Sequence, residues 1–280
     1  MSLDLFGRRS ALFLPASNPR AIAKARTAGA DLVILDLEDA VRPEDKDAAR
    51  AAAVEAVAFA WPCPVAIRIN GLTSEWHRAD EDAVAGSAAD LVVLPRCEDE
   101  AQLRLVQERT RKRVAAMIET PAGVLASPRI ARSAAALIAG TNDLRSALRL
   151  PPGAGRDRIS ASLQLIVLAA RVGGIPAFDG VFNGLDDAEG FRAEAQDGRM
   201  LGFDGKSLIH PNQIALCHEA WAPTGTEIAR AERLVAAAQG GAERFEGEMI
   251  ERMHVEAAER LLSSRHSREG GDPSPTASRE

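Results

Sequence analysis

The chain has 280 residues, 46% hydrophobic and 26% charged, which suits one globular domain of the size an eight-stranded α/β barrel needs, plus a short extension. With 34 basic and 40 acidic residues the formal net charge is −6, so no broadly basic surface argues for nucleic acid, and a small-molecule partner is expected. Three widely spaced cysteines, Cys63, Cys97 and Cys217, lack the close pairing of zinc or dithiol motifs and read as reduced thiols of a cytoplasmic protein, while no apolar leader and no run of about 18 apolar residues points to export or a membrane.

Eight short apolar runs rich in β-branched residues read as strands, most of them buried on both faces: 11–16, 32–38, 65–70, 91–96, 114–120, 136–143, 177–182 and 205–210. Charged segments of helical character separate them, among them 18–28, 43–60, 98–111 and 159–172, with Asn18, Asp80 and Ser127 as helix-start candidates. Strand–helix alternation at this count predicts an α/β fold, a closed (β/α)8 TIM barrel over residues 1–222. A doubly wound sheet is the weaker alternative, because no GxGxxG run follows an early strand. Past the eighth strand, 227–238 and 247–262 read as two helices joined by a loop bearing Gly240 and Gly241, a C-terminal helical extension over 223–262. Residues 263–280 are rich in Ser, Pro, Gly and charge and are expected to form a disordered tail.

Barrel enzymes place their chemistry at the C-terminal ends of the strands, so polar residues there are the candidates. Glu119 ends the fifth run in Met117-Ile118-Glu119-Thr120-Pro121, and Asp143 ends the sixth in Gly140-Thr141-Asn142-Asp143-Leu144. Neighbouring strands lie about 5 Å apart, so the two carboxylates either reach one cation of the Mg2+ type or cap the helices that follow. Arg68, in the apolar context Ile67-Arg68-Ile69-Asn70, needs an anion: a substrate carboxylate, a developing enolate oxygen, or an ion pair with Asp36 or Glu38. The second run ends in three acids, Asp36, Glu38 and Asp39; alternation sends the first two to one side and Asp39 out with the loop. One of them is a general-base candidate, or all belong to a network that holds Arg68. Lys206 and His210, in Gly205-Lys206-Ser207-Leu208-Ile209-His210-Pro211, stand near the fold's usual phosphate corner and either touch a phosphate or bond the rim. His77, His218, His254 and His266 show no ligand spacing and read as surface or satisfied core residues. The absence of a G-x-S-x-G turn, a P-loop and an H-E-x-x-H motif argues against serine hydrolysis, NTP hydrolysis and zinc proteolysis.

Taken together, these motifs resemble the citrate lyase beta-subunit-like branch of the HpcH/HpaI aldolase superfamily, which includes malyl-CoA and citramalyl-CoA lyases. The segments that carry the resemblance are Arg9-Ser10-Ala11-Leu12-Phe13-Leu14-Pro15, Asp36-Leu37-Glu38-Asp39-Ala40-Val41, Arg68-Ile69-Asn70, Ile118-Glu119-Thr120, Asn142-Asp143-Leu144 and the run from Gly205 to Pro211. They occur in the family's order over residues 8 to about 222. The resemblance implies Mg2+, with Mn2+ as a substitute, held by Glu119 and Asp143, with Arg68 facing substrate oxygens and the acids Asp36, Glu38 and Asp39 supporting it. It also implies coenzyme A as part of the substrate, contacted around Arg9, Pro15 and Lys24. A thioester of malyl, citramalyl or citryl type would then be split into a 2-keto acid and an acyl-CoA.

Related lyases carry a Met-Ile-Asp-like motif after the barrel, whose aspartate handles protons in a neighbouring subunit's site, so a homotrimer or larger homo-oligomer is expected. The matching stretch here is Gly247-Glu248-Met249-Ile250-Glu251, in which Glu251 keeps the carboxylate on a side chain one methylene longer. The continuation after Asp143, from Arg145 to Pro152, also departs from the family pattern and implies an unusual acyl or keto-acid preference. Two other readings stay open: an aldolase on free 2-keto-4-hydroxy acids, disfavoured because that branch has a histidine where Asp39 stands, and a citrate lyase beta-type subunit that works only with an acyl-carrier protein.

Overall fold

The computed structural model describes residues 3–269. Eight parallel strands alternate with helices in the order β1 (Ser10–Pro15), α1 (Pro19–Ala25), β2 (Leu32–Asp36), α2 (Lys46–Val57), β3 (Val65–Arg68), α3 (His77–Ala85), β4 (Leu91–Leu94), α4 (Glu100–Thr110), β5 (Arg113–Ile118), α5 (Pro121–Ile130), β6 (Leu137–Ala139), α6 (Thr141–Ala147), α7 (Ser160–Gly173), β7 (Ala177–Asp179), α8 (Ala188–Leu201), β8 (Gly205–Leu208) and α9 (Gln213–Ala220). Each strand pairs with the next, and β8 returns to β1 with Ser10, Ala11 and Leu12 opposite Lys206, Ser207 and Leu208. The expected TIM barrel is therefore the fold observed.

Strand alternation sorts the side chains into two shells. Ala11, Leu32, Ile34, Ala66, Val93, Met117 and Phe178 form a cluster that fills the barrel, which Leu5 joins from ahead of β1. The intervening residues, such as Leu12, Val33, Leu35, Ile67 and Leu94, pack outward in the larger core under the helices. Continuing the inward parity to the strand ends brings Asp36, Arg68 and Glu119 to one mouth.

Helix starts follow local chemistry in part. Asn18 caps α1 by accepting from Ala21 N, with Pro19 at the first helical position, and Thr120 caps α5 by accepting from Gly123 N. Asp80 and Ser127 are not starts; they lie inside α3 and α5. Asp80 is instead used in tertiary contacts, accepting from Asn70 N at 2.9 Å and from Arg50 Nε at 2.7 Å. The sequence run 136–143 divides at Gly140, so Asp143 belongs to the first turn of α6 and not to a strand.

A second compact unit begins at Ala222. It contains α10 (Gly225–Ala237), an antiparallel hairpin of β9 (Glu243–Phe245) and β10 (Glu248–Ile250), and α11 (Arg252–Glu269). Its own small core includes Ala231, Leu234, Phe245, Ile250 and Ala258. The helix expected over 247–262 is thus corrected: Glu246 and Gly247 both have positive φ, +48° and +91°, as a tight two-residue hairpin turn requires, and the helix starts only at Arg252. The helix continues through 263–269, the first part of the expected tail, whereas 270–280 lie outside the described residues. Among the described residues no helix is long and apolar enough to cross a membrane.

Gly205 tests barrel closure. A Cβ there would stand 2.5 Å from Arg9 O and 2.6 Å from Arg8 O, both backbone atoms of the segment entering β1. Gly205→Ala is expected to lower the unfolding free energy by about 2–3 kcal/mol, read from urea melts, because the closing strands must separate to admit the methyl.

Candidate active site

Arg68 is the centre of the mouth. It is 8% exposed, and its Nε and Nη2 each lie 2.6 Å from an oxygen of Asp36, a bidentate pair. The guanidinium also sits over the Phe13 ring, 5.3 Å from its centroid. Burial alone would push the Arg68 pKa down; Asp36, helped by Glu38 and Asp39, reverses this and holds it above the ordinary value. Nη1 lies 2.8 Å from Glu38 Oε2 and 3.9 Å from Asp39. Among the described residues Glu38 Oε2 nevertheless has no directed hydrogen bond, and Nη1 donates instead toward Met117 Sδ at 3.7 Å, so this contact is charge proximity alone. Asp39 is 70% exposed, out with the loop as alternation predicts.

The loop that carries these acids is fixed from below. Asp36 accepts from the backbone N–H groups of Glu38 at 2.9 Å and Ala40 at 3.1 Å. Lys46, buried at the start of α2, donates to Leu37 O, Glu38 O and Asn70 Oδ1 at 2.7, 2.8 and 2.7 Å. Asn70 Nδ2 in turn donates to Leu37 O and to Asp80 Oδ2. The sequence reading missed Lys46. A lysine in the first turn of a helix, where the dipole favours anions, was the signal available.

Glu119 follows β5 and is buried, with Oε1 accepting from Arg96 N at 2.7 Å. Thr120 provides the cap of α5, so Glu119 is free of that duty. Arg96 has a φ of +48°, a conformation that costs a non-glycine residue energy and aims its N–H at the carboxylate. A Cβ on Gly140 would stand 2.3 Å from Glu119 Oε2, so only glycine leaves room for this carboxylate. Asp143, 38% exposed, lies 3.6 Å from Arg96 Nη1. Glu119 and Asp143 line one cavity of about 400 Å3 with Arg68, Asp36, Asp39 and Pro15. Among the described residues no group of three or more His, Cys, Asp or Glu is arranged to hold a metal. Two carboxylates and a cradle kept open by glycine fit a hard cation that takes its remaining ligands from water and an oxygen-rich substrate.

A second groove, of about 530 Å3, shares Phe13, Leu14, Pro15 and Ile209 with this cavity and adds Arg20, Lys24 and His210. Pro15, Lys24 and His210 are thereby brought together beside the mouth, joined by Arg20, which the sequence reading did not single out.

Comparisons with known proteins identify the family. The sequence model of the HpcH/HpaI aldolase/citrate lyase family matches residues 9–211. The chain belongs to that family. Its relatives include a (3S)-malyl-CoA thioesterase of Cereibacter sphaeroides, 37% identical over 91% of this chain and 93% of the relative. A citrate lyase subunit beta of Leuconostoc mesenteroides is 33% identical over 91% and 92% of the two chains. The CitE protein of Mycobacterium tuberculosis, solved with magnesium, acetoacetate and coenzyme A, superposes with a TM-score of 0.84 at 35% identity, over 92% of this chain and 98% of that one.

Two residues expected at the substrate do not reach the mouth of this family member. Lys206 is 0% exposed and points outward, where it donates to Asp179 Oδ2, Gly180 O and Glu194 Oε1 at 3.0, 2.6 and 2.8 Å. A fully bonded ammonium between β7, β8 and α8 has nothing left for a phosphate. Arg9 precedes β1 and so stands at the opposite end of the barrel, where it pairs with Asp31 at 3.2 Å and its carbonyl accepts from Lys206 N. Glu251 lies in the second unit, between β10 and α11, with its N–H donating to His254 Nδ1.

Lys206→Met is therefore expected to lower stability by about 3 kcal/mol in urea melts, because it strips a partner from buried Asp179. The mouth carboxyls set a pH dependence. Burial pushes Glu38 up to about 8, which Arg68 opposes and Asp39, Glu119 and Asp36 reinforce; burial likewise pushes Glu119 up to about 7, against the Arg96 N–H and Arg68. Both groups hold protons more tightly when folded than at their unperturbed value of 4.5. Their stabilising contribution is thus complete below that value and lost as pH rises through 7 to 8. In EDTA the unfolding free energy should fall between about pH 5 and pH 8, and Glu38→Gln should flatten much of that slope; a wild-type profile rising over this range would contradict the assignment.

Proposed function

We propose that the protein is an Mg2+-dependent carbon–carbon lyase that splits a 3-hydroxy-acid coenzyme A thioester of malyl, citramalyl or citryl type into a 2-keto acid and an acyl-CoA, or joins them. The observation that carries this reading is the convergence of Glu119, Asp143 and the unsaturated side of Arg68 on one cavity, beside a groove bearing Arg20, Lys24 and His210. Glu119 and Asp143 would hold the cation, with Mn2+ as a substitute; when bound, it supplies charge stabilisation and orients the oxygens of the acid.

In the cleavage direction the substrate hydroxyl loses its proton, the carbon–carbon bond breaks, and its electron pair passes to the thioester α-carbon, which then takes up a proton. Arg68 keeps Nη1 for a substrate oxygen, since Nε and Nη2 are taken by Asp36. Asp36 already accepts four hydrogen bonds and acts through Arg68 rather than as a base. The remaining carboxyls beside Arg68 are the candidate proton carriers on this chain: Asp39, which is exposed and lines the cavity, and Glu38, which burial pushes up to about 8. Pro15, Lys24 and His210 would border the coenzyme A portion. Glu251 would serve a neighbouring subunit in a homotrimer or larger assembly, a point light scattering checks.

A second reading is thioester hydrolysis, which the likeness to a (3S)-malyl-CoA thioesterase favours. The two differ in products: the lyase releases a keto acid and leaves the thioester intact, while the hydrolase releases a free thiol. Incubation with Mg2+ and malyl-, citramalyl- and citryl-CoA, following keto acid and thiol in parallel with and without EDTA, is expected to give EDTA-sensitive keto-acid release from one of them. Glu119→Gln should reduce it roughly 10²–10³-fold. Thiol release alone would establish hydrolysis, and silence toward all three would move the assignment to a free-acid aldolase or a subunit that needs an acyl-carrier protein.

A further inference from the structure

The inner end of the cavity carries a polar group that none of the chemistry above uses. Ser207 lies on β8 between two outward side chains, Lys206 in its buried ion network and Leu208 in the outer core, so its own side chain points into the barrel. It is 1% exposed, lines the cavity, and among the described residues its Oγ has no hydrogen-bond partner. Buried hydroxyls are ordinarily satisfied, and one left open toward a cavity marks a place for a ligand atom or a water. Its strand neighbours explain why the protein offers no partner. Ala11 is its register partner on β1, and because Asp179 pairs with Lys206 at the end of β7, the next residue, Gly180, follows on the side of Ser207. Neither has a side chain longer than a methyl. A Cβ on Gly180 would come within 2.4 Å of the Thr141 side chain, and one on Gly140 would meet Glu119, so the space on this side of the barrel is held open by glycine at two strand ends. Phe13, Met117 and Ile209 make the nearby cavity wall apolar.

We propose that Ser207 is the specificity-determining residue of this cavity: its hydroxyl hydrogen-bonds a further oxygen substituent on the bound acid, beyond the carboxylate and the adjacent oxygen, and so selects oxygen-bearing acids over alkyl ones. An alkyl group at this point would seal the cavity with the hydroxyl unpaired, and a site built around a hydrogen bond discriminates strongly against the partner that lacks it. The inference deepens the proposed function, resting on the reading of this cavity as the seat of the acid portion, and points to substrates whose acid portion carries a second carboxylate or hydroxyl rather than a methyl.

The test is a binding measurement that does not depend on turnover. Full-length protein with Mg2+ is titrated calorimetrically, in the cold where oxaloacetate decarboxylates slowly, with oxaloacetate and with pyruvate, which has a methyl where oxaloacetate has a carboxymethyl group. Wild type should prefer oxaloacetate. Ser207→Ala should weaken oxaloacetate about tenfold and pyruvate less than about twofold, and Ser207→Cys, similar in size but a weak hydrogen bonder, should follow Ala. Because the Ser207 hydroxyl has no hydrogen-bond partner among the described residues, both variants should melt at or above the wild-type temperature. An unchanged ratio, an equal loss for both acids, or no binding of either acid to wild type would overturn the proposal and leave the hydroxyl to a structural water. If the ratio shifts as expected while no thioester is cleaved, the specificity role stands and the lyase reading fails; cleavage with an unchanged ratio means the reverse.

Discussion

A guanidinium inside a barrel must be answered by carboxylates, and the mouth of this protein is organised around that requirement. Leaving a buried charge unpaired costs several kcal/mol, so Arg68 and Asp36 are obligatory partners. Asp36 passes the constraint on by gathering the N–H groups of Glu38 and Ala40, which bends the chain at the end of β2. Lys46 anchors the carbonyls of the same bend, and Asn70 and Asp80 tie it to α3. Strands β2 and β3 and helices α2 and α3 are thereby joined into one polar unit, which holds the angle at which Arg68 faces the cavity.

The barrel keeps two kinds of polar network on its two strand faces. The outward one, in which Lys206 meets Asp179 and Glu194 and Arg156 meets Asp179 and Asp197, is closed: its donors find acceptors within the protein. The inward one is left incomplete at Glu38 Oε2 and Ser207 Oγ, and Arg68 Nη1 has only a weak sulfur acceptor. Closed networks serve stability, whereas open ones hold free energy that a bound molecule can release. Burial is the main cause of the raised pKa values of Glu38 and Glu119, and the neighbouring carboxylates add to it against the pull of Arg68.

Much of this was legible in the sequence, because apolar runs of strand length and polar strand ends are local signals. Arg68, Asp36 and Glu119 could be located because an arginine or glutamate terminating an apolar run has few explanations. What escaped depends on direction. Lys206 and Ser207 are adjacent on β8, and a one-residue change of parity would exchange their roles; Gly205-Lys206-Ser207-Leu208 is buried throughout and carries no alternation to show which face is inward. Lys46 escaped because its acceptors, Leu37 O, Glu38 O and Asn70 Oδ1, are brought together by tertiary folding. The hairpin of β9 and β10 escaped because its segments are three residues each, shorter than any usable period, and only Gly247 hinted at the turn.

The small residues and the strained one answer to a single demand. Gly140 gives Glu119 its room on one side, and Arg96, in a conformation unusual for a side-chain-bearing residue, holds its carboxylate from the other. The backbone N–H of Arg96 occupies Oε1, so Oε2, on the Gly140 side, is the oxygen left for a cation under the proposed function. With Asp143 more than a third exposed and, among the described residues, no third His, Cys, Asp or Glu grouped with the pair to hold a metal, the residues of this chain alone would hold a cation weakly. The bound acid would then have to supply the missing oxygens, so that cation and acid each raise the affinity for the other by the same factor, as linkage requires. A site of that kind commits to its cation only when the substrate is present, and the half-open mouth and the unpaired groups beneath it are what such coupling needs.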